Sequence, residues 1–208
     1  MPKIGAIILA AGLSKRMGHP KLLLSLKGKP LFRYPLEQAI RNHLQPICLI
    51  AGQHMQAFQT ETSDLQNVEY IYNPRYEKGM SSSLKIGIEN IKYRTDAAII
   101  FLADQPFVPD LVLQSMIEQF CNDTLIVRPQ YQGNFGHPIL IDNSLYDEFL
   151  NLEGDQGGKE IINKYIKDTK ILSFDHLFWG MDIDTPEDYQ KCAQLLKYDR
   201  GINDGEKK

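Results

Sequence analysis

The run 9–21 reads LAAGLSKRMGHPK and combines small residues with fixed positive charge. Small side chains let a backbone approach a ligand closely, and successive backbone N–H groups can cradle an anion. Arg16 and Lys21 add cations suited to a triphosphate. The pattern is not a Walker A loop, because no glycine is followed directly by Lys-Ser or Lys-Thr. It is not a dinucleotide fingerprint either: GxGxxG is missing, and the second apolar run closes with Ile50-Ala51-Gly52, without an acid to hold a ribose.

Three carboxylates are the other candidates for chemistry. Asp104 follows the apolar run Ala97–Leu102, where an acid could hold a magnesium ion against phosphate oxygens or cap a helix beginning near Pro109. Asp182 and Asp184 are two apart and point the same way on an extended segment. They offer a further metal ligand, or they serve the helix start at Thr185. Ser81, Ser82 and Ser83 precede an apolar periodic stretch, which needs a cap. No Ser-His-Asp or Cys-His arrangement stands out, so the chemistry points to positioning and charge neutralisation rather than to a protein nucleophile.

These residues need elements to hold them. Ile4–Ala10, Ile47–Ala51, Val68–Tyr72 and Ala97–Leu102 read as strands, the first and last as continuous apolar runs buried on both faces. Residues 125–127, 139–141 and 171–174 read as later strands. Helices are expected over 31–42, 82–91, 109–120, 144–150 and 159–166. One more starts at Thr185-Pro186-Glu187-Asp188, with Thr as cap and Pro at the first helical position. Strands alternating with helices imply parallel βαβ units in one α/β domain over 1–198, followed by a polar tail over 199–208. Ligands of such sheets sit beyond the carboxyl ends of the strands, where both the loop after the first strand and Asp104 fall. Trp179 reads as core.

Composition narrows the partners. A net charge of −3 with scattered Lys and Arg gives no basic stripe for nucleic acid. No segment has the length of a membrane span, and the apolar stretch at 4–11 is too short for a signal peptide. The three cysteines, Cys48, Cys121 and Cys192, lie far apart in a pattern that suits neither zinc nor a disulfide framework, and a reduced cytoplasmic setting is expected.

The string LAAGLSKRMGHPKLLLSLKGKPL resembles the nucleotide signature of the MobA-like nucleotidyltransferases. GMSSSLKIGIE from Gly79, LADQP from Leu102, GNFGHP from Gly133 and MDIDTPED from Met181 follow in that family's order. Together they resemble the molybdenum cofactor cytidylyltransferase branch, including members tied to purine catabolism through xanthine dehydrogenase.

The resemblance implies a Rossmann-like three-layer fold with a mostly parallel sheet. It also implies transfer of CMP from CTP to the phosphate of a molybdopterin-type cofactor with release of pyrophosphate, and transient contact with a molybdoenzyme. In that reading Leu9, Ala10, Ala11 and Gly12 underlie the base, with Ala11 in the form seen in cytidylyltransferases. Ser82 and Ser83 contact base or ribose. Asp104 and Asp184, with Asp182 as second choice, hold Mg²⁺. Lys21 and Arg16 stabilise the departing pyrophosphate. His137 and Asp155 touch the acceptor. The alternatives are another phosphorylated acceptor, or a non-catalytic partner that hands cofactor to a molybdoenzyme.

Overall fold

The protein is described by a computed structural model covering residues 2–14, 16–121, 123–152 and 158–198, with side chains to residue 194. The strands among the described residues are β1 (Ile4–Ala10), β2 (Ser25–Leu26), β3 (Lys29–Pro30), β4 (Ile47–Ala51), β5 (Val68–Tyr72), β6 (Ala97–Leu102), β7 (Ile126–Tyr131), β8 (Asn134–Phe135), β9 (Ile139–Asp142) and β10 (Thr169–Phe174). The helices among the described residues are α1 (Arg33–Arg41), α2 (Met55–Glu61), α3 (Met80–Ile91), α4 (Asp110–Gln119), α5 (Tyr146–Leu150), α6 (Lys159–Lys164) and α7 (Pro186–Tyr198).

The main sheet runs β10-β7-β9-β6-β1-β4-β5, with β8 paired to β7. β1 lies inside it and pairs parallel to both β4 and β6. Its residues Ile7 and Ile8 are fully buried on opposite faces. One face packs against α1, α2 and α4 through Leu36, Phe58, Leu113 and Met116. The other packs against α3, α5 and α6 through Leu84, Ile88, Phe149 and Ile161. The result is a three-layer α/β architecture with a mostly parallel sheet. No helix among the described residues is long and apolar enough to cross a membrane.

Two local expectations are corrected. First, the parallel βαβ pattern is interrupted at one strand, in keeping with a sheet that is mostly and not wholly parallel: β9 runs antiparallel to both β6 and β7. Only the short β8 turn separates β7 from β9, which is too little chain for a crossover and enough for a hairpin. Second, the serines do not supply the N-cap of α3. The helix starts at Met80 and its cap is Gly79, held at φ +92°, a left-handed backbone that favours glycine. Ser82 Oγ instead donates to the Gly79 carbonyl at 2.8 Å and accepts from Asn73 Nδ2 at 2.9 Å.

The start of α7 follows the sequence reading. Thr185 Oγ1 accepts from the Asp188 N–H at 3.1 Å, and the Asp188 carboxylate accepts from the Thr185 N–H at 2.9 Å. The cap therefore leaves the carboxylates of Asp182 and Asp184 free for other work. Asp104 does not cap α4 either, since Pro109 stands at that cap.

Tyr131 ties the far half of the sheet to the segment carrying Asp182 and Asp184. Its ring is 2% exposed. A Cβ on Gly136 would lie 2.5 Å from that ring, and a Cβ on Gly180 would lie 2.3 Å from it. Gly180→Ala must push the ring or the backbone aside, at a cost of about 1–3 kcal/mol for overpacking. A thermal melt should show the midpoint lowered by several degrees, and an unchanged midpoint would refute the close-approach role.

Candidate nucleotide site

The parallel register brings the ends of β1, β4 and β6 level: Leu9 pairs with Ile50 on one side and Leu102 on the other. Beyond these ends lies a cleft of about 530 Å³, within the range of small-molecule sites. The loop after β1 forms one wall. Ser14 takes φ +50° and Gly18 φ +70°, and buried Met17 pins the loop to the body. The loop turns back into a single 3-10 turn, Lys21–Leu23, whose Leu22 enters the main core.

That turn aims the Lys21 side chain inward. Its Nζ lies 2.5 Å from Asp104 Oδ2 and 2.6 Å from Asp184 Oδ1, and the side chain is only 11% exposed. Asp104 reaches this point because it follows β6 directly. Asp184 reaches it because the Ile183 N–H donates to the Asp104 carbonyl at 3.1 Å. Ile183 is fully buried in a small core with Leu26, Leu31 and Cys192. Alternation along this extended segment then turns its two neighbours away from that core. Arg16 completes the cluster, 2.8 Å from Asp184 Oδ2 and mostly solvent-exposed.

Burial would lower the Lys21 pKa, but the charges and hydrogen bonds of Asp104 and Asp184 outweigh it and raise the value above that of an ordinary lysine. Lys21 is therefore an ammonium at neutral pH. Asp182 takes a different partner, accepting from Gln105 Nε2 at 2.8 Å. The residue keeps solvent access, yet enclosure of its carboxyl pushes the pKa up to about 6, with the charge of Asp104 adding to the effect.

Two carboxylates from distant segments thus converge on one cation. Hard oxygen donors converging on a single positive centre fit a divalent ion that draws its other ligands from water and phosphate. Among the described residues no group of three or more His, Cys, Asp or Glu side chains could hold a metal. The phosphate oxygens of a nucleotide would therefore have to complete the set.

Of the residues singled out in the sequence, Leu9, Ala11, Gly12, Arg16, Lys21, Ser83, Asp104 and Asp184 line the cleft. Ala10 points into the core beneath it. Ser82 faces the opposite flank of α3, in a second pocket with Asn73 and Arg75. His137 lies away from the cleft wall, two residues before Ile139, which pairs with Ile100. Its burial, with the charge of Arg128 adding, pulls its pKa down to about 4, so its imidazole is neutral. Asp155 lies outside the described residues, as does the tail over 199–208. Trp179 is partly buried against the main core and stacks on His176 with ring centroids 4.2 Å apart.

Gly79, Met80 and Leu102, which stand in the quoted motifs without a site role, also line the cleft, as do Tyr76 and Glu77, which no motif contains. The available signal was Gly52 at the end of β4: a Cβ there would lie 2.7 Å from the Tyr76 ring, so the glycine makes room for that tyrosine.

Known proteins resemble this chain in sequence and in fold. The chain is 28% identical over 192 residues to the molybdenum cofactor cytidylyltransferase of Escherichia coli, covering 91% of this chain and 95% of that one. It is 26% identical over 214 residues to the purine catabolism protein PucB of Bacillus subtilis, covering 94% and 98%. Its fold is similar to that of Rv0371c from Mycobacterium tuberculosis, with TM-score 0.82, 24% identity, and 92% and 98% of the two chains covered. A manganese complex of Rv0371c matches with TM-score 0.79 at 23% identity, covering 92% and 98%. Residues 6–169 match the MobA-like NTP transferase domain, and the chain belongs to that family.

Proposed function

We propose that this protein transfers CMP from CTP to the phosphate of a molybdopterin-type cofactor, releasing pyrophosphate, in a magnesium-dependent reaction that serves a xanthine dehydrogenase-type enzyme. The observation that carries nucleotidyl transfer is the Lys21 ammonium between Asp104 and Asp184 at the end of the glycine loop. The choice of cofactor and nucleotide is supported by similarity to the Escherichia coli cytidylyltransferase and to PucB. Ala11 supports CTP as well. It lines the cleft, where a methyl takes room that a hydrogen would leave for a two-ring base. We place the reaction in the cytoplasm, in keeping with three free cysteines.

In this reading a phosphate oxygen of the acceptor attacks the α-phosphorus of CTP. The bond from that phosphorus to the bridging oxygen breaks, and pyrophosphate leaves with the electron pair. A phosphate monoester has a second pKa of about 6 and is largely dianionic at neutral pH, so no side chain has to remove a proton. The protein's work is placement and charge. The loop N–H groups hold the triphosphate, Leu9, Ala10, Ala11 and Gly12 underlie the base, and Ser83 stands beside the base or ribose. Lys21 and Arg16 turn to the departing pyrophosphate. Asp104 and Asp184 would hold Mg²⁺, which when bound neutralises charge on the phosphate oxygens. His137, neutral, and Asp155 are assigned to the acceptor side.

The deciding experiment is calorimetric titration of CTP, GTP, ATP and UTP, each with and without Mg²⁺. With the metal present CTP should bind at least about tenfold tighter than the others, a difference of ~1.4 kcal/mol, and its affinity should fall when the metal is withdrawn. Preference for GTP would overturn the cytidylyl assignment and leave the fold and the family as they are.

A further inference from the structure

Arg128 stands on β7 with no carboxylate partner among the described residues. Ion pairs among the described residues engage Arg16, Arg33, Arg41 and Arg94, and Arg128 is in none of them. Its Nε donates to the Gly136 carbonyl at 3.3 Å, and its guanidinium lies 4.6 Å from the centroid of the Phe135 ring. Those contacts orient the planar group without using its terminal nitrogens, which have no hydrogen-bond partner among the described residues. The side chain is half-buried, and that enclosure alone lowers its pKa below that of an ordinary arginine. A partly dry cation without a counter-charge is costly unless something anionic completes it.

Its position says what that something is. β7 runs parallel to β6, because each is antiparallel to β9 between them. Alternation along β7 puts Arg128 on the face of Ile126, which is the face covered by α3. The first turn of α3 closes the nucleotide cleft from that same face through Ser83. Continuing the register puts Arg128 opposite Ile139, which pairs with Ile100, so Arg128 stands beyond β9, outside the lining of the nucleotide cleft and on the side of β6 away from β1 and its glycine loop. Neutral His137 is beside it, its carbonyl held by the Tyr131 hydroxyl at 2.9 Å. The GHP turn that carries His137 also supplies the carbonyl that orients Arg128.

We propose that Arg128 is the receptor for the attacking phosphate of the acceptor, gripping two of its oxygens with the terminal N–H groups of the guanidinium. This rests on the transfer reading above. A planar fork matches a phosphate in two-point contact, which a lysine cannot reproduce. The residue binds the acceptor equally before and during transfer, so its loss raises KM and leaves kcat largely unchanged.

The test compares wild type, Arg128→Gln and Arg128→Lys with CTP and molybdopterin. Arg128→Gln should raise the acceptor KM at least about tenfold, the scale of a lost charged hydrogen bond, with kcat and CTP affinity within twofold of wild type and no fall in melting temperature. Arg128→Lys should recover part of the loss. An unchanged acceptor KM in Arg128→Gln overturns the proposal. So does a joint fall in CTP affinity and melting temperature that lysine does not rescue, because that pattern marks a structural residue. If wild type does not turn over molybdopterin at all, the functional reading has failed on its own. Arg128 is then tested with inorganic phosphate titrated into the CTP-loaded protein. Binding that Arg128→Gln loses supports the receptor, and equal binding in both proteins refutes it.

Discussion

Lys21→Met should lower turnover by about 10²–10³-fold, the loss seen when one preorganised donor to developing charge is removed. The same change should make the nucleotide-free protein bind a divalent ion more tightly. In the free protein the Lys21 ammonium sits 2.5 Å from Asp104 and 2.6 Å from Asp184 and is their shared counter-ion. A metal entering alone must displace it. A metal entering with a triphosphate gives the ammonium somewhere to go, because the phosphates are its next partner. Methionine keeps the length and packing of the stem and removes the competitor. Asp104 is then left without a cation and Asp184 with Arg16 alone, so the variant should melt below wild type without metal and recover when manganese is added. Manganese titration followed by electron paramagnetic resonance checks the binding, and pyrophosphate release checks the turnover. Normal turnover, or manganese affinity no higher than in wild type, would remove Lys21 from the site chemistry.

The half of this arrangement that could be read from sequence is the half encoded locally. β1, β4 and β6 are legible because a strand buried on both faces must be apolar at every position, so IGAIILA and AAIIFL announce themselves. The Thr185–Asp188 cap is legible because a capping box is four consecutive residues. What stays hidden is whatever depends on distant pairing. Lys21 meets its carboxylates across 83 and 163 residues of chain, and nothing local to any of the three specifies the meeting. Only the order of motifs, through resemblance, hinted at it. Gly79 was overlooked as the cap of α3 because serines beside it are the commoner caps. Tyr76 lies in what reads as a polar connection, and only the approach of the chain beneath it makes it a cleft residue. The two-residue strands β2 and β3 carry too little pattern to register at all. Arg128 falls just past the strand read over 125–127, and nothing marks it until its lack of a carboxylate partner among the described residues is visible in three dimensions.

Asp104→Asn tests the other side of the same cluster. Asparagine keeps the shape of the side chain, and the Asp104 carbonyl that receives the Ile183 N–H belongs to the backbone, so the segment carrying Asp184 stays in place. What is lost is one of two formal charges converging on the cation position. The replacement amide offers one oxygen in place of two and no charge, a poor exchange for a hard divalent ion. Turnover should fall on the order of 10³-fold, as charge stabilisation at the reacting phosphates is lost. Binding separates this from simple misfolding. The metal-dependent part of CTP affinity should vanish, and the metal-independent part, due to the glycine loop, Arg16 and Lys21, should persist or increase, because Lys21 has one fewer carboxylate competing for it. The neighbouring Asp182 reports independently. Its pKa is raised to about 6 by burial first and by the charge of Asp104 second. Neutralising Asp104 should therefore move the Asp182 titration toward the ordinary carboxylate range, observable by carbon NMR of the labelled carboxyl. A variant that retains metal-dependent CTP binding would place the metal elsewhere in the cleft. One that leaves the Asp182 titration unmoved would mean that the two carboxylates do not share a field.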